Sequence, residues 1–384
     1  MSLWVPVGLA LGVAVALGFA RFAYSLLLPA MRGDLHWSYA QAGSLGTAIA
    51  AGYLFGALLT TPVERALGTA RVFVIGLGLT AASLMAMALF RDYAILLVLR
   101  FLAGLVTGWV FIAGFSLAAQ AGAAGNRSTL FTAVYAAGAG LGMVLSGLLL
   151  PPVLASRWHW PGGWLALGLL SLLALLLAVP AVRRSPHPTA TAARETTISW
   201  RGLRPILVAY LAYGAGYFAL ITFVIVYLHA AGYGPGRIAD FWITAGLAAG
   251  VSMFLWGPLL AHLHGSRGVG VTTSVLIVSA LNLLLLHGAV AVDISAVLFG
   301  GSLMASAFAH LDYARRLVPP QSWTRVIAAM TVMFSAGQTL GPLLCGWVAD
   351  SAGLRAGMIT AVALLLLGIA VASLQRGSTD GRPR

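Results

Sequence analysis

Apolar residues run through this chain in long continuous blocks parted by short polar breaks, without the alternating pattern of a barrel strand. Twelve blocks reach spanning length, at about 3–30, 38–61, 71–90, 93–118, 127–150, 162–181, 204–229, 237–261, 268–288, 291–312, 323–349 and 355–375. A helix needs roughly 20 apolar residues to cross a bilayer, so each block predicts one membrane-spanning helix. The breaks carry turn and charge signals, among them Arg32-Gly33-Asp34, Arg91-Asp92, Gly122 to Asn126 and Pro319-Pro320. The pattern predicts an all-α membrane protein of twelve helices and excludes a closed β-barrel.

The longest polar stretch, Arg183 to Arg204, contains Ser-Pro-His-Pro and Thr-Ala-Thr and reads as a flexible linker. It divides the chain into a six-helix unit at 1–182, a linker at 183–203, a second six-helix unit at 204–376 and a tail at 377–384. The two units repeat each other. Gly18-Phe-Ala-Arg21-Phe22-Ala23 aligns with Gly214-Ala-Gly-Tyr217-Phe218-Ala219, an offset of 196 residues. Gly68 aligns with Gly265 at 197, while Arg100 aligns with Phe299 at 199. Gly138, Gly142 and Gly147 align with Gly337, Gly341 and Gly346, again at 199. Duplicated halves are a common plan of secondary transporters, with the binding site between them near the midplane.

Arginine placement predicts orientation. Fifteen arginines fall on one side, including Arg65, Arg71, Arg183 and Arg325, against Arg32, Arg91, Arg157, Arg237 and Arg355 on the other. Both termini are therefore expected in the cytoplasm, with the protein in the cell (inner) membrane. Arg21 and Arg100 belong to neither side, because each lies inside an apolar block. Burying a guanidinium at the bilayer centre costs from about 3 to more than 10 kcal/mol, so such residues are functional candidates by default.

Composition agrees and removes other classes. The chain is 60% hydrophobic and 8% charged, against about 25% charged in a soluble domain. The 46 glycines suit close helix packing in lipid. The net charge of +13 is scattered over short loops and is no nucleic-acid footprint. All 22 basic residues are arginine. The single Cys345 allows neither an intrachain disulfide nor a multi-cysteine metal site, and no cofactor is expected. Met1 to Pro6 lacks the charged start of a cleavable signal, so the first helix is expected to be retained.

Twelve helices, repeated halves and a basic central linker resemble the major facilitator superfamily over essentially the whole chain. Arg100-Phe-Leu-Ala-Gly104 resembles that superfamily's fourth-helix arginine–glycine motif. Glu64-Arg65-Ala-Leu-Gly68-Thr-Ala-Arg71 resembles its loop after helix two, with one extra residue and glutamate in place of aspartate. His262-Leu-His264-Gly265-Ser-Arg267 is the acid-free counterpart in the second half. More narrowly, Gly18 to Tyr24 followed by Leu28-Pro29, with Gly214-Ala-Gly216-Tyr217, resembles the YbfB/YjiJ group. The resemblance implies that helices 1, 4, 7 and 10 line a central cavity, and that helices 2, 5, 8 and 11 make the contacts that open and close. Gly52/Gly56, Gly138/Gly142, Gly246/Gly250 and Gly337/Gly341 lie on those four helices. They are expected as gating contacts or, alternatively, as ordinary tight packing.

Arg21 and Arg100 are each about 12–14 Å from the same membrane face, at 1.5 Å per residue, and no carboxylate lies in a first-half helix interior. Two such cations favour an anionic substrate held as arginine holds a carboxylate or phosphate. The candidate substrate-binding residues are Arg21, Tyr24, Arg100, Tyr135, Tyr213, Tyr217, Phe334 and Gln338. Structural roles are the alternative for both arginines and for Tyr210, Tyr213 and Tyr217, which share one helix face at spacings of three and four. Glu64, Arg65, Gly68 and Arg71 are candidates for the cytoplasmic gate, and His310 and Asp312 for proton coupling. The expected function is alternating-access transport of a small carboxylate-type anion, coupled to protons, by a monomer in contact with lipid. Proton-driven efflux of drug-like hydrophobic compounds and anion exchange are the alternatives. No metalloprotease, paired-aspartate or serine–histidine arrangement occurs on the helices, so an intramembrane enzyme is not expected.

Overall fold

The computed structural model describes residues 4–123, 127–185, 198–263, 265–286, 288–319 and 322–375, without the side chains of 253 and 324. Arg194, His264, Arg376, Arg382, Arg384, the interior of the linker and the 377–384 tail lie outside the described residues. Every regular element among the described residues is helical. The helices are α1 (Trp4–Leu35), α2 (Tyr39–Leu67), α3 (Thr69–Met87), α4 (Tyr93–Ala123), α5 (Ser128–Leu154), α6 (His159–Arg183), α7 (Trp200–Ala230), α8 (Pro235–His262), α9 (Arg267–Leu285), α10 (Ala289–Arg316), α11 (Trp323–Ala352) and α12 (Leu354–Ser373). Eleven are long and apolar enough to cross a membrane, and α8, bent by 51°, is the twelfth when its arms are taken as one span.

These elements follow from the apolar blocks, because a helix pairs its own backbone where lipid offers no partner. Local signals set the ends. Ser38 and Gln41 form a reciprocal capping box at the start of α2. Gly68, at φ +84°, and Gly353, at φ +89°, end α2 and α11 in backbone conformations that favour glycine.

Helix α1 departs from a continuous α-helix. Ala14–Phe22 is π-helical, and the Ala23 N–H still bonds five residues back, to the Gly18 carbonyl, at 2.8 Å. Returning to four-residue pairing skips one carbonyl by simple counting, so this turn needs a donor from elsewhere.

Helices α1–α6 pack among themselves, as do α7–α12, and the two groups meet through α1–α7, α2–α11 and α5–α8. The glycine pairs expected at the gates mostly serve other contacts. Gly52 and Gly56 receive the Phe101 and Leu105 carbonyls of α4, within their own half. Gly138 and Gly142 meet Ala10 and Ala14 of α1, and Gly337 and Gly341 meet Leu211 and Ala215 of α7. Only Gly246/Gly250 crosses, against Gly140 of α5. Three of the four pairs thus pack within their own half, the tight-packing alternative. A small residue permits close approach but does not select which neighbour approaches.

The bonds between halves gather from the middle of the bundle towards the end that carries Tyr39 and Asp350. There the Asp350 carboxylate accepts from the Tyr39 and Ala40 N–H groups, at 2.7 and 2.8 Å. Thr47 donates to the Thr339 carbonyl at 2.6 Å, and Ser25 to that of Thr222 at 3.3 Å. Trp242 Nε1 donates to Ser146 at 3.1 Å, while Tyr39 meets Phe223 edge-on. A carboxylate on helix N-terminal amides adds about 1–2 kcal/mol. Asp350→Asn is therefore expected to loosen this end, broadening the distance between spin labels at Gly33 and Ser351. An unchanged distribution would remove Asp350 from the closure.

Candidate functional site

The site is built where the π-helical turn of α1 faces α11. Arg21 Nη2 donates to Gln338 Oε1 at 2.8 Å, a bond between halves. Its guanidinium carbon lies 4.6 Å from the Tyr53 ring centre on α2 and 4.9 Å from that of Phe218 on α7. Arg21 is 5% exposed, and its Nε is buried with no partner among the described residues. Each ring contributes about 0.5–2 kcal/mol to holding the cation. No carboxylate pairs with it: the ion pairs among the described residues are Arg91–Asp34, Arg237–Asp240, Arg237–Asp293 and Arg316–Asp312. No carboxylate among the described residues offsets the Arg21 cation.

Arg100 comes to the same turn with a different task. Its Nη1 donates to the Ala20 carbonyl and its Nε to that of Leu45, at 3.4 Å, with Tyr24 and Trp164 rings beside it. It serves the irregular turn that carries Arg21, which its depth in the membrane did not reveal. Leaving buried carbonyls unmet costs about 1–3 kcal/mol. Arg100→Leu is expected to lower thermal stability by about that amount while changing ligand affinity far less than loss of Arg21 does. Equal losses of affinity in the two variants, measured by calorimetry, would return Arg100 to the ligand.

Other candidates separate in the same way. Tyr24 donates to the Ala42 carbonyl at 2.7 Å and stacks on Trp164. Tyr135 donates to the Val110 and Phe111 carbonyls, at 3.0 and 2.9 Å, and Tyr213 to that of Leu303, at 2.8 Å. All three are buried with their hydroxyls committed to backbone, so they brace helices. Tyr217 and Phe334 stack together, with centroids 6.0 Å apart, beside Arg21's partner Gln338. His310 is wholly buried, not solvated at a helix end. It stacks on Tyr210 and Tyr213, both at 4.9 Å, with Nδ1 bonded to the Ser306 carbonyl and Nε2 unmatched among the described residues. Asp312 instead pairs with Arg316 at 2.7 Å, one turn along α10. Arg65 and Arg71 are exposed near the end of α2, and Glu64 is half-buried.

Tyr53 and Phe218, which sandwich Arg21, did not emerge from the sequence. Phe218 had a faint signal, since it aligns with Phe22 in the repeat. Tyr53 had none.

Residues 13–373 match the family described as "Uncharacterised MFS-type transporter YbfB". The chain belongs to this family. It is a transporter of the major facilitator superfamily and not an enzyme. Over 148 residues it is 34% identical to a Haemophilus influenzae protein named "Putative metabolite transport protein", and the match covers 38% of this transporter and 36% of that relative. Three solved structures share its fold at low identity. A bacterial homologue of the human lysosomal transporter Spinster, inward-facing and occupied, has a TM-score of 0.73 at 16% identity, covering 97% of this chain and 96% of that one. The nucleoside transporter NupG has 0.72 at 12%, covering 97% and 98%. The human organic anion transporter MFSD10 has 0.66 at 17%, covering 97% and 100%.

Proposed function

We propose that this transporter carries a small carboxylate-type organic anion across the cytoplasmic membrane by alternating access. The observation that carries this reading is Arg21, a buried cation between the halves whose one hydrogen-bond acceptor among the described residues is the neutral Gln338 amide. A carboxylate arriving there replaces a neutral acceptor with a charged, two-oxygen one that matches the guanidinium fork. It also competes for a bond that holds the halves together, so ligand binding and rocking act on the same atoms. The rocking bodies are 1–182 and 204–376, joined by the 183–203 linker, in a monomer. Arginine bias assigns the Tyr39–Asp350 end to the outer side, so the closed end faces out and the site is reached from the cytoplasm. His310, with a buried unmatched nitrogen, is the proton-coupling residue of this reading.

A thermal-shift panel on the purified protein tests the anion. Small carboxylates are compared with their neutral amides, and at least one acid is expected to stabilise the protein where its amide does not. Amides matching acids throughout the panel would overturn the anion reading.

A further inference from the structure

We propose that the transported anion is aromatic: an aryl carboxylate whose acid group meets Arg21 while its ring lies against Phe334. This rests on the anion reading above and adds the class of the anion. Phe334 and Gln338 are four residues apart on α11, so they share one face about 6 Å apart along the axis. Gln338 marks the place of the charge, because it holds Arg21 at 2.8 Å. Phe334 lies one turn nearer the Trp323 end of α11, away from the closed Asp350 end, and so on the approach to that charge.

The Phe334 ring is prepared as a platform. It stacks on Tyr210 at 4.6 Å and 12°, with Tyr213 at 5.9 Å and 12° beside it. Tyr213 is pinned through its bond to the Leu303 carbonyl, and both tyrosines rest on His310. Within this slab Tyr210, Tyr213, Tyr217 and His310 are buried, whereas Phe334 keeps partial exposure. A backed, nearly parallel and partly open ring favours a second ring at the 4.5–7 Å of offset stacking. A carboxyl carbon lies about 3 Å from the centre of the benzene ring that bears it. A benzoate-sized ligand therefore suits the roughly 6 Å helix rise that parts Phe334 from Gln338, the residue that holds Arg21.

The test is calorimetry on the full-length protein in detergent, with benzoate, cyclohexanecarboxylate and benzamide as probes. Benzoate is expected to bind about 2- to 10-fold more tightly than cyclohexanecarboxylate, the excess that stacking adds beyond burial. Benzamide, which keeps the ring without the charge, is expected not to bind. In Phe334→Leu the two acids are expected to converge, because benzoate loses the stacking excess that separates it from cyclohexanecarboxylate. Equal binding of the two acids to the unaltered protein would overturn the aromatic assignment and leave the anion reading standing. Benzamide binding as tightly as benzoate, or no binding by either acid, would overturn the aromatic assignment, whereas the anion reading falls only when amides match acids throughout the thermal-shift panel. The wild-type comparison decides the matter even if the Phe334 variant does not fold.

Discussion

Arg21→Ala is expected to abolish carboxylate binding, at least 100-fold by calorimetry, and to remove flux in proteoliposomes. Two charge-assisted hydrogen bonds at about 1.5–3 kcal/mol each account for a loss of that size. The fold is expected to survive, because the variant removes an uncompensated buried cation rather than exposing one. Lysine is the informative second variant. It retains the charge but replaces a planar fork with a point charge, and it loses the sandwich between Tyr53 and Phe218. Arg21→Lys should bind more weakly than the parent and more tightly than alanine. Both variants also lose the Arg21–Gln338 bond, so the closed end should open more often, a change that spin-label distances would register. Normal uptake by a folded Arg21→Ala protein would end the case for a charge clamp.

Gly104→Val carries the largest expected effect on folding. A Cβ at Gly104 would overlap the Ile49 carbonyl oxygen and lie 2.9 Å from the Tyr53 backbone nitrogen. Those atoms belong to the α2 backbone, so no rotamer change relieves the clash, and α2 and α4 must part. Gly52 and Gly56 face back across the same seam, which makes the whole contact a backbone-to-backbone one. The repeat copies it: Gly300 of α10 meets the Ala245 carbonyl of α8, and each residue stands 196 positions after its counterpart, an offset that sets Arg100 against Ala296 and not Phe299. A destabilisation of about 3 kcal/mol or more is expected, appearing as aggregation on size exclusion or a sharply lower melting temperature. Because Tyr53 lies on the displaced helix, any folded fraction should also bind anions poorly. A monodisperse Gly104→Val protein with parental stability would mean that the seam tolerates separation.

The sequence was informative where physics acts on one residue or one span at a time. Twelve apolar blocks predicted the helices to within a few residues at most ends, because lipid makes each segment satisfy its own backbone. The cost of a buried guanidinium singled out Arg21 and Arg100 without any knowledge of neighbours. Gln338, chosen as a polar group beside Phe334, is the residue that meets Arg21.

What the blocks could not determine was which surfaces meet. Gly52/Gly56 and Gly246/Gly250 carry the same spacing, yet one faces its own half and the other crosses, because spacing describes a groove and not its occupant. Arg21 and Arg100 looked equivalent by type and depth. The π-helical turn of α1 gave them different work, since its Ala20 carbonyl accepts from Arg100 while Arg21 faces Gln338, Tyr53 and Phe218. Hydropathy, a property of single residues, was enough to predict twelve helices and two isolated charges. Tertiary structure alone decided which cation braces the fold and which stays available to a ligand, because that choice depends on acceptors 80 residues away for Arg100 and 317 for Arg21.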